Sequence, residues 1–175
     1  DMREYEIRDI TLAPSGHQKI EWVKNNMPLL RGLEEEFVKT KPFEGVKISL
    51  SVHLEAKTAY LCLVLAAGGA KMSVTGSNVL STQDDVAAAL ADSGLAVFAY
   101  HGATAEEYDR HIEMCLEQKP NIIIDDGGDL VGLIHTKRPD LAEEVWGGCE
   151  ETTTGVIRLK AMEKEGILKF PMVAV

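Results

Sequence analysis

The stretch that most constrains this chain lies at residues 120–129. Pro120 ends a helical pattern, Asn121 leads into Ile122-Ile123-Ile124, and Asp125-Asp126-Gly127-Gly128-Asp129 follows at once. An unbroken apolar triplet bounded by turn residues marks a strand buried on both faces. Such strands belong to parallel sheets, because the helices that connect parallel strands cover both sides.

The rest of the chain keeps the same rhythm. Val46, Ile48, Leu50 and Val52 alternate with Lys47, Ser49 and Ser51, predicting a first strand over 46–52. Further strands are expected over 71–75, 95–100 and 121–125, a weak fifth from about Val145, and a sixth over 170–175. Helical patterns separate them. One runs over 15–25 with Ser15 as N-cap, and a second follows Asn26 as cap with Pro28 in its first turn. Others run over 55–67, ending at Gly68-Gly69, and over 86–91, behind a capping box read in Ser81-Thr82-Gln83-Asp84. Thr104-Ala105-Glu106-Glu107 is a second capping box, opening a helix to Lys119; helices over 129–135 and 152–164 complete the series. Strands alternating with helices give right-handed crossovers. The expected fold class is therefore α/β: an open, mostly parallel sheet with helices on both faces, a Rossmann-like three-layer arrangement.

Composition narrows the function. The net charge is −10 over 175 residues, and the basic residues form no patch, which argues against nucleic acid as a partner. Cys62, Cys115 and Cys149 are odd in number and form no C-x-x-C; Cys62 and Cys115 sit in apolar helical patterns and read as buried thiols. That usage suits a reducing cytoplasm. Residues 1–9 are mostly charged and do not read as a signal peptide, and the apolar run 60–67 is too short to span a bilayer. The chain stops at Val175 inside an apolar run, so a fragment of a longer protein is expected, with residues 1–175 forming one incomplete domain.

Ligands of open α/β sheets bind beyond the carboxyl ends of the strands. His53 and Glu55 follow the first strand, Asn78 the second and His101 the third. Asp125 and Asp126 end the fourth, and Glu150-Glu151-Thr152-Thr153-Thr154-Gly155 follows the fifth. Each has an ordinary reading too: His53 could cap a helix, Asp129 could cap its own, and His111 and His135 fall within helices as structural residues. The Asp125–Asp129 run reads either as a turn with an N-cap or as carboxylates crowded around a ligand. Three consecutive threonines at a helix start exceed what capping requires and could hold a polyol or pyrophosphate. No G-x-G-x-x-G, Walker A or metal-ligand cluster occurs.

At these residues the chain resembles the S-adenosylhomocysteine hydrolase family. The resemblance rests on Met27-Pro28-Leu29-Leu30, His53, Ser77-Asn78, Ser81-Thr82-Gln83-Asp84 and Asp125 through Leu130. It continues through Leu133-Ile134-His135-Thr136-Lys137, Glu150 to Gly155 and Gly166-Ile167-Leu168-Lys169. It implies the substrate-binding part of a two-domain, homotetrameric, cytoplasmic enzyme with bound NAD. The family reversibly hydrolyses S-adenosylhomocysteine to adenosine and homocysteine by oxidising the ribose 3′-hydroxyl, eliminating homocysteine, adding water and reducing the ketone again. Carried over, Asp125 and His53 become the proton-transfer residues, and Asp125 and Glu151 contact substrate, Glu151 near the ribose hydroxyls. Thr152, Thr153 and Thr154 reach NAD, while Asn78 and Gln83 shape the pocket. The segment alone is expected to be inactive, since the family's oxidation-assisting lysine and aspartate and its nucleotide-binding domain lie beyond it.

One pair of positions departs from the family pattern. Where the family commonly has threonine and glutamate facing adenine, this chain has Glu55 and Lys57. Glu55 can still accept a hydrogen bond, whereas Lys57 is a donor and would suit a 6-oxopurine. The alternatives are therefore a hydrolase preferring S-inosylhomocysteine and a non-catalytic nucleoside-binding homologue; Lys57 could also simply pair with a carboxylate.

Overall fold

The computed structural model describes residues 4–175 as one open sheet of six parallel strands. These are β1 (Lys47–Val52), β2 (Lys71–Gly76), β3 (Ala96–Phe98), β4 (Ile122–Asp125), β5 (Gly147–Glu150) and β6 (Met172–Ala174), in the order β3-β2-β1-β4-β5-β6. The helices are α1 (Ala13–Asn26), α2 (Pro28–Thr40), α3 (Ala56–Ala67), α4 (Asp84–Asp92), α5 (Ala105–Leu116), α6 (Asp129–Thr136) and α7 (Thr153–Lys164). The chain winds outward from β1 to β3, crosses back through α5, and winds outward again from β4 to β6. Strand order therefore reverses between β1 and β4, and a crevice opens there beyond their carboxyl ends.

Each sheet face has its own core. On one, Ile20 and Val23 of α1, Ala59 and Val64 of α3, and Val86 and Leu90 of α4 cover Leu50 and Val74. On the other, Ile112 and Leu116 of α5, Leu130 and Ile134 of α6, and Leu159 of α7 pack with Ile123. Ile123 is fully buried in the second core, while Ile122 and Ile124 pack against the first. The triplet is thus flanked on both sides, as its sequence predicts. Burying an aliphatic side chain of this size stabilises by roughly 1.5–3 kcal/mol, so a strand served by two cores is firmly held.

The N-terminal segment lies along β3. Glu6 donates its N–H to Val97 O at 2.8 Å and accepts from Ala99 N–H at 3.0 Å. Its carboxylate receives Arg110, His111 Nε2 at 3.1 Å and the Tyr100 hydroxyl at 3.0 Å. The Arg110 guanidinium, with hydrogen bonds from His111 and Tyr100, holds Glu6 down at about 2 against the opposing effect of burial.

Several expected caps are replaced. Helix α1 starts two residues before Ser15, at Ala13, with Pro14 in its first turn, and Ser15 Oγ instead donates to Asp85 Oδ2 at 2.7 Å. Asn26 closes α1, donating to Trp22 O, and Met27 precedes α2. The Ser81-Thr82-Gln83-Asp84 capping box does not form: the N-cap of α4 is Gln83 and makes no side-chain capping bond. The Thr104 box forms as expected with Glu107. Glu55, not His53, caps α3, and Gly128, not Asp129, precedes α6. Helix α5 ends at Leu116, short of Lys119, which takes a left-handed φ of 56°. The central strand spans hold, with β3 trimmed to three residues. Cys62 and Cys115 are buried and form no disulfide among the described residues.

Candidate active site

The crevice between β1 and β4 is built from the segments that follow β1, β2, β4 and β5. His53 leaves the end of β1 with its imidazole half exposed. Its Nδ1 lies 2.6 Å from Ser81 Oγ, and its Nε2 lies 3.3 Å from Asp126 Oδ2. Asp126, with its side chain 4% exposed, also accepts from Ser77 Oγ at 3.0 Å. Two serines from the loop after β2 and one carboxylate after β4 thus fix a histidine after β1. Ser81 is pinned in turn by Asn78: its Oγ donates to Asn78 O, and Asn78 Oδ1 accepts from Leu80 N–H at 2.8 Å.

Asp125 and Asp126 point to different places. Asp125 is the last paired residue of β4 and shares the face of Ile123, beneath α6. It is fully buried: Oδ2 accepts from Val131 N–H at 3.0 Å, and Oδ1 has no hydrogen-bond partner among the described residues. Burial above all, with the Glu150 charge beside it, pushes Asp125 up to about 7. Asp125, expected at the substrate, has its carboxylate buried beneath α6 instead of beside His53. The carboxylate presented to His53 is Asp126, one residue on and on the opposite side of the chain. Strand periodicity carried that signal, since Ile123 and Asp125 must share a face.

Across the crevice, Glu150 ends β5 fully buried. Both its carboxylate oxygens accept from Gly127 N–H, at 3.1 and 3.0 Å, and Oε2 accepts from Thr152 N–H at 2.9 Å. Glu151, which follows, is exposed. Partial desolvation, then the charges of Asp126 and Glu150, push its carboxyl above the ordinary glutamate range. Thr152 caps α7 by accepting from Gly155 N–H at 2.9 Å. Thr153 and Thr154 remain exposed in the first turn of α7.

The other expected residues lie to the α1 side. Glu55 caps α3, with Oε1 accepting from Thr58 N–H at 2.9 Å. Gln83 Oε1 accepts from Lys19 Nζ at 3.1 Å. Glu55, Lys57, Gln83, Lys19 and Trp22 line a cavity of about 490 Å³. Lys57 is exposed and forms no ion pair among the described residues, so the expectation of a carboxylate partner is not met.

Sequence reasoning also passed over Tyr108. Its hydroxyl donates to Asp129 Oδ2 at 2.5 Å, and Arg158 holds the other Asp129 oxygen at 3.1 Å. Nothing in the spacing of Tyr108, Asp129 and Arg158 announces that contact.

A doubly wound sheet whose switch-point crevice presents a fixed histidine–carboxylate pair, a raised glutamate and a threonine-rich helix start defines an α/β domain with acid–base groups at its switch point. The family model described as S-adenosyl-L-homocysteine hydrolase matches residues 4–140. This chain belongs to that family. It is 56% identical over 171 residues to the S-inosyl-L-homocysteine hydrolase of Methanocaldococcus jannaschii, covering 98% of this chain and 41% of that protein. It is 55% identical over 172 residues to the adenosylhomocysteinase of Pyrococcus abyssi, with the same coverage of 98% and 41%. The adenosylhomocysteinase of Aquifex aeolicus is 49% identical over 173 residues, again 98% and 41% of the two chains. The chain thus spans about two fifths of the length of these relatives.

Proposed function

We propose that this chain is the nucleoside-binding part of a hydrolase that converts S-adenosylhomocysteine to adenosine and homocysteine within a longer protein. The observation that carries this reading is His53, held between Ser81 Oγ and Asp126 Oδ2 at the switch point. An imidazole engaged at both nitrogens is fixed in orientation, and the proton it shares with Asp126 can pass to a leaving sulfur or be returned by water. Asp126 takes the role expected of Asp125, and Glu151 receives the ribose hydroxyls. A carboxyl with raised proton affinity is suited to sharing a proton with a sugar hydroxyl.

Thr153 and Thr154, in the N-terminal turn of α7, fit one edge of NAD. NAD, when bound, would supply a hydride acceptor for the ribose 3′ carbon. The residues present here orient the sugar and manage protons at its 5′ end. A homotetramer in the cytoplasm, without nucleic-acid or membrane partners, completes the proposal; the net charge of −10 supports the exclusion of nucleic acid.

The test is thiol release from S-adenosylhomocysteine by the full-length protein, read with a thiol-reactive dye. Release that His53→Ala lowers at least a hundredfold supports the reading. Tight nucleoside binding without release would make the protein a non-catalytic homologue.

Glu55 and Lys57 favour a second reading, in which the base is hypoxanthine. Its N1–H is a donor for Glu55, and its O6 is an acceptor for Lys57, which forms no ion pair among the described residues. The Methanocaldococcus jannaschii relative is named for S-inosyl-L-homocysteine.

A further inference from the structure

Glu150 is a fully buried carboxylate that takes no part in the chemistry outlined above. It accepts from two different loops. Gly127 N–H reaches both its oxygens, and Thr152 contributes N–H at 2.9 Å and Oγ1 at 3.3 Å, both to Oε2. The first loop carries Asp126. The second carries Glu151 and opens the threonine-bearing turn of α7. Two glycines make the contact feasible. Gly127 has a φ of 108°, which turns its N–H back toward the sheet, and a Cβ at Gly155 would run into the Glu150 carboxylate.

We propose that Glu150 is a positioning residue that locks the Asp126 loop to the Glu151 loop and so sets the spacing between the proton-transfer pair and the sugar-binding carboxylate. This rests on the reading of His53, Asp126 and Glu151 given above. A buried carboxylate supplied with several N–H donors is firmly held, and its loss leaves those donors unsatisfied. Replacement by glutamine substitutes an NH2 group for one acceptor, so a donor then faces donors.

The experiment uses the full-length protein and compares Glu150→Gln with Asp126→Asn. The expected result for Glu150→Gln is a ten- to hundredfold fall in kcat for S-adenosylhomocysteine, with KM changed less than threefold. A lower melting temperature with unchanged kcat overturns the proposal. If Asp126→Asn lowers kcat but Glu150→Gln does not, the clamp fails while the site reading stands. If neither variant lowers kcat, both fail. Should Glu150→Gln not fold, amide exchange in the wild-type protein decides. Gly127 and Thr152 N–H protected together, and exchanging at one rate, support the clamp; exchange at unprotected loop rates overturns it.

Discussion

Asp125 and Glu150 are register partners at the carboxyl ends of β4 and β5, and both are fully buried. Parallel partners point to the same face, so two carboxyl groups share one low-dielectric site. They are treated unequally. Glu150 collects three donor groups, whereas Asp125 has Val131 N–H on one oxygen and no partner on the other among the described residues. The pair settles this by keeping a proton on Asp125, which burial and the Glu150 charge push up to about 7.

That proton makes stability pH-dependent. Between the ordinary aspartate value of 3.8 and about 7, the unfolded chain has released the proton and the folded chain still holds it. Stability should therefore fall as pH rises through this window, by up to about 1.4 kcal/mol per pH unit, and level off above it. Asp125→Asn should flatten the slope. Urea unfolding at pH 5 and pH 7 measures it, and identical slopes for both proteins would count against the assignment.

Glu6 has the opposite sign. Arg110, with His111 and Tyr100, holds its carboxyl at about 2, below the ordinary 4.5. Its contribution is complete above the ordinary value and is lost as pH falls toward 2. Since Arg110 is half exposed, Glu6→Gln is expected to cost only about 1–2 kcal/mol at pH 7, and almost nothing near pH 2. Denaturant midpoints at the two pH values test this; an equal cost at both would contradict it.

Lys57 offers a specificity test. In the full-length protein, Lys57→Glu should lower kcat/KM for S-inosylhomocysteine relative to S-adenosylhomocysteine by roughly tenfold, the equivalent of about 1.4 kcal/mol. An unchanged ratio would mean that Lys57 does not meet the base.

The fold was legible because its signals are redundant. The Ile122-Ile123-Ile124 triplet, the alternation at 46–52 and the Thr104 capping box all point to one doubly wound sheet. Local signals failed where tertiary partners outbid them. Ser81 could have capped α4, but His53 and Asn78 engage its hydroxyl. Ser15 meets Asp85, seventy residues away in sequence. The site residues gathered at the predicted edge because that placement follows from strand ends alone. Choosing between Asp125 and Asp126 needed strand parity, which the motif by itself does not state. The Tyr108–Asp129–Arg158 contact depends on how α5, α6 and α7 meet, and no spacing encodes it.

In the function proposed here, Asp126, paired with His53, faces the reacting end of the substrate while Asp125 is structural. The most direct test is kcat for S-adenosylhomocysteine hydrolysis by full-length Asp126→Asn and Asp125→Asn proteins at pH 7. The expected result is a loss of about a hundredfold or more for Asp126→Asn, the scale of a removed acid–base group, and at least about a tenth of wild-type kcat for Asp125→Asn. The reverse order would contradict it.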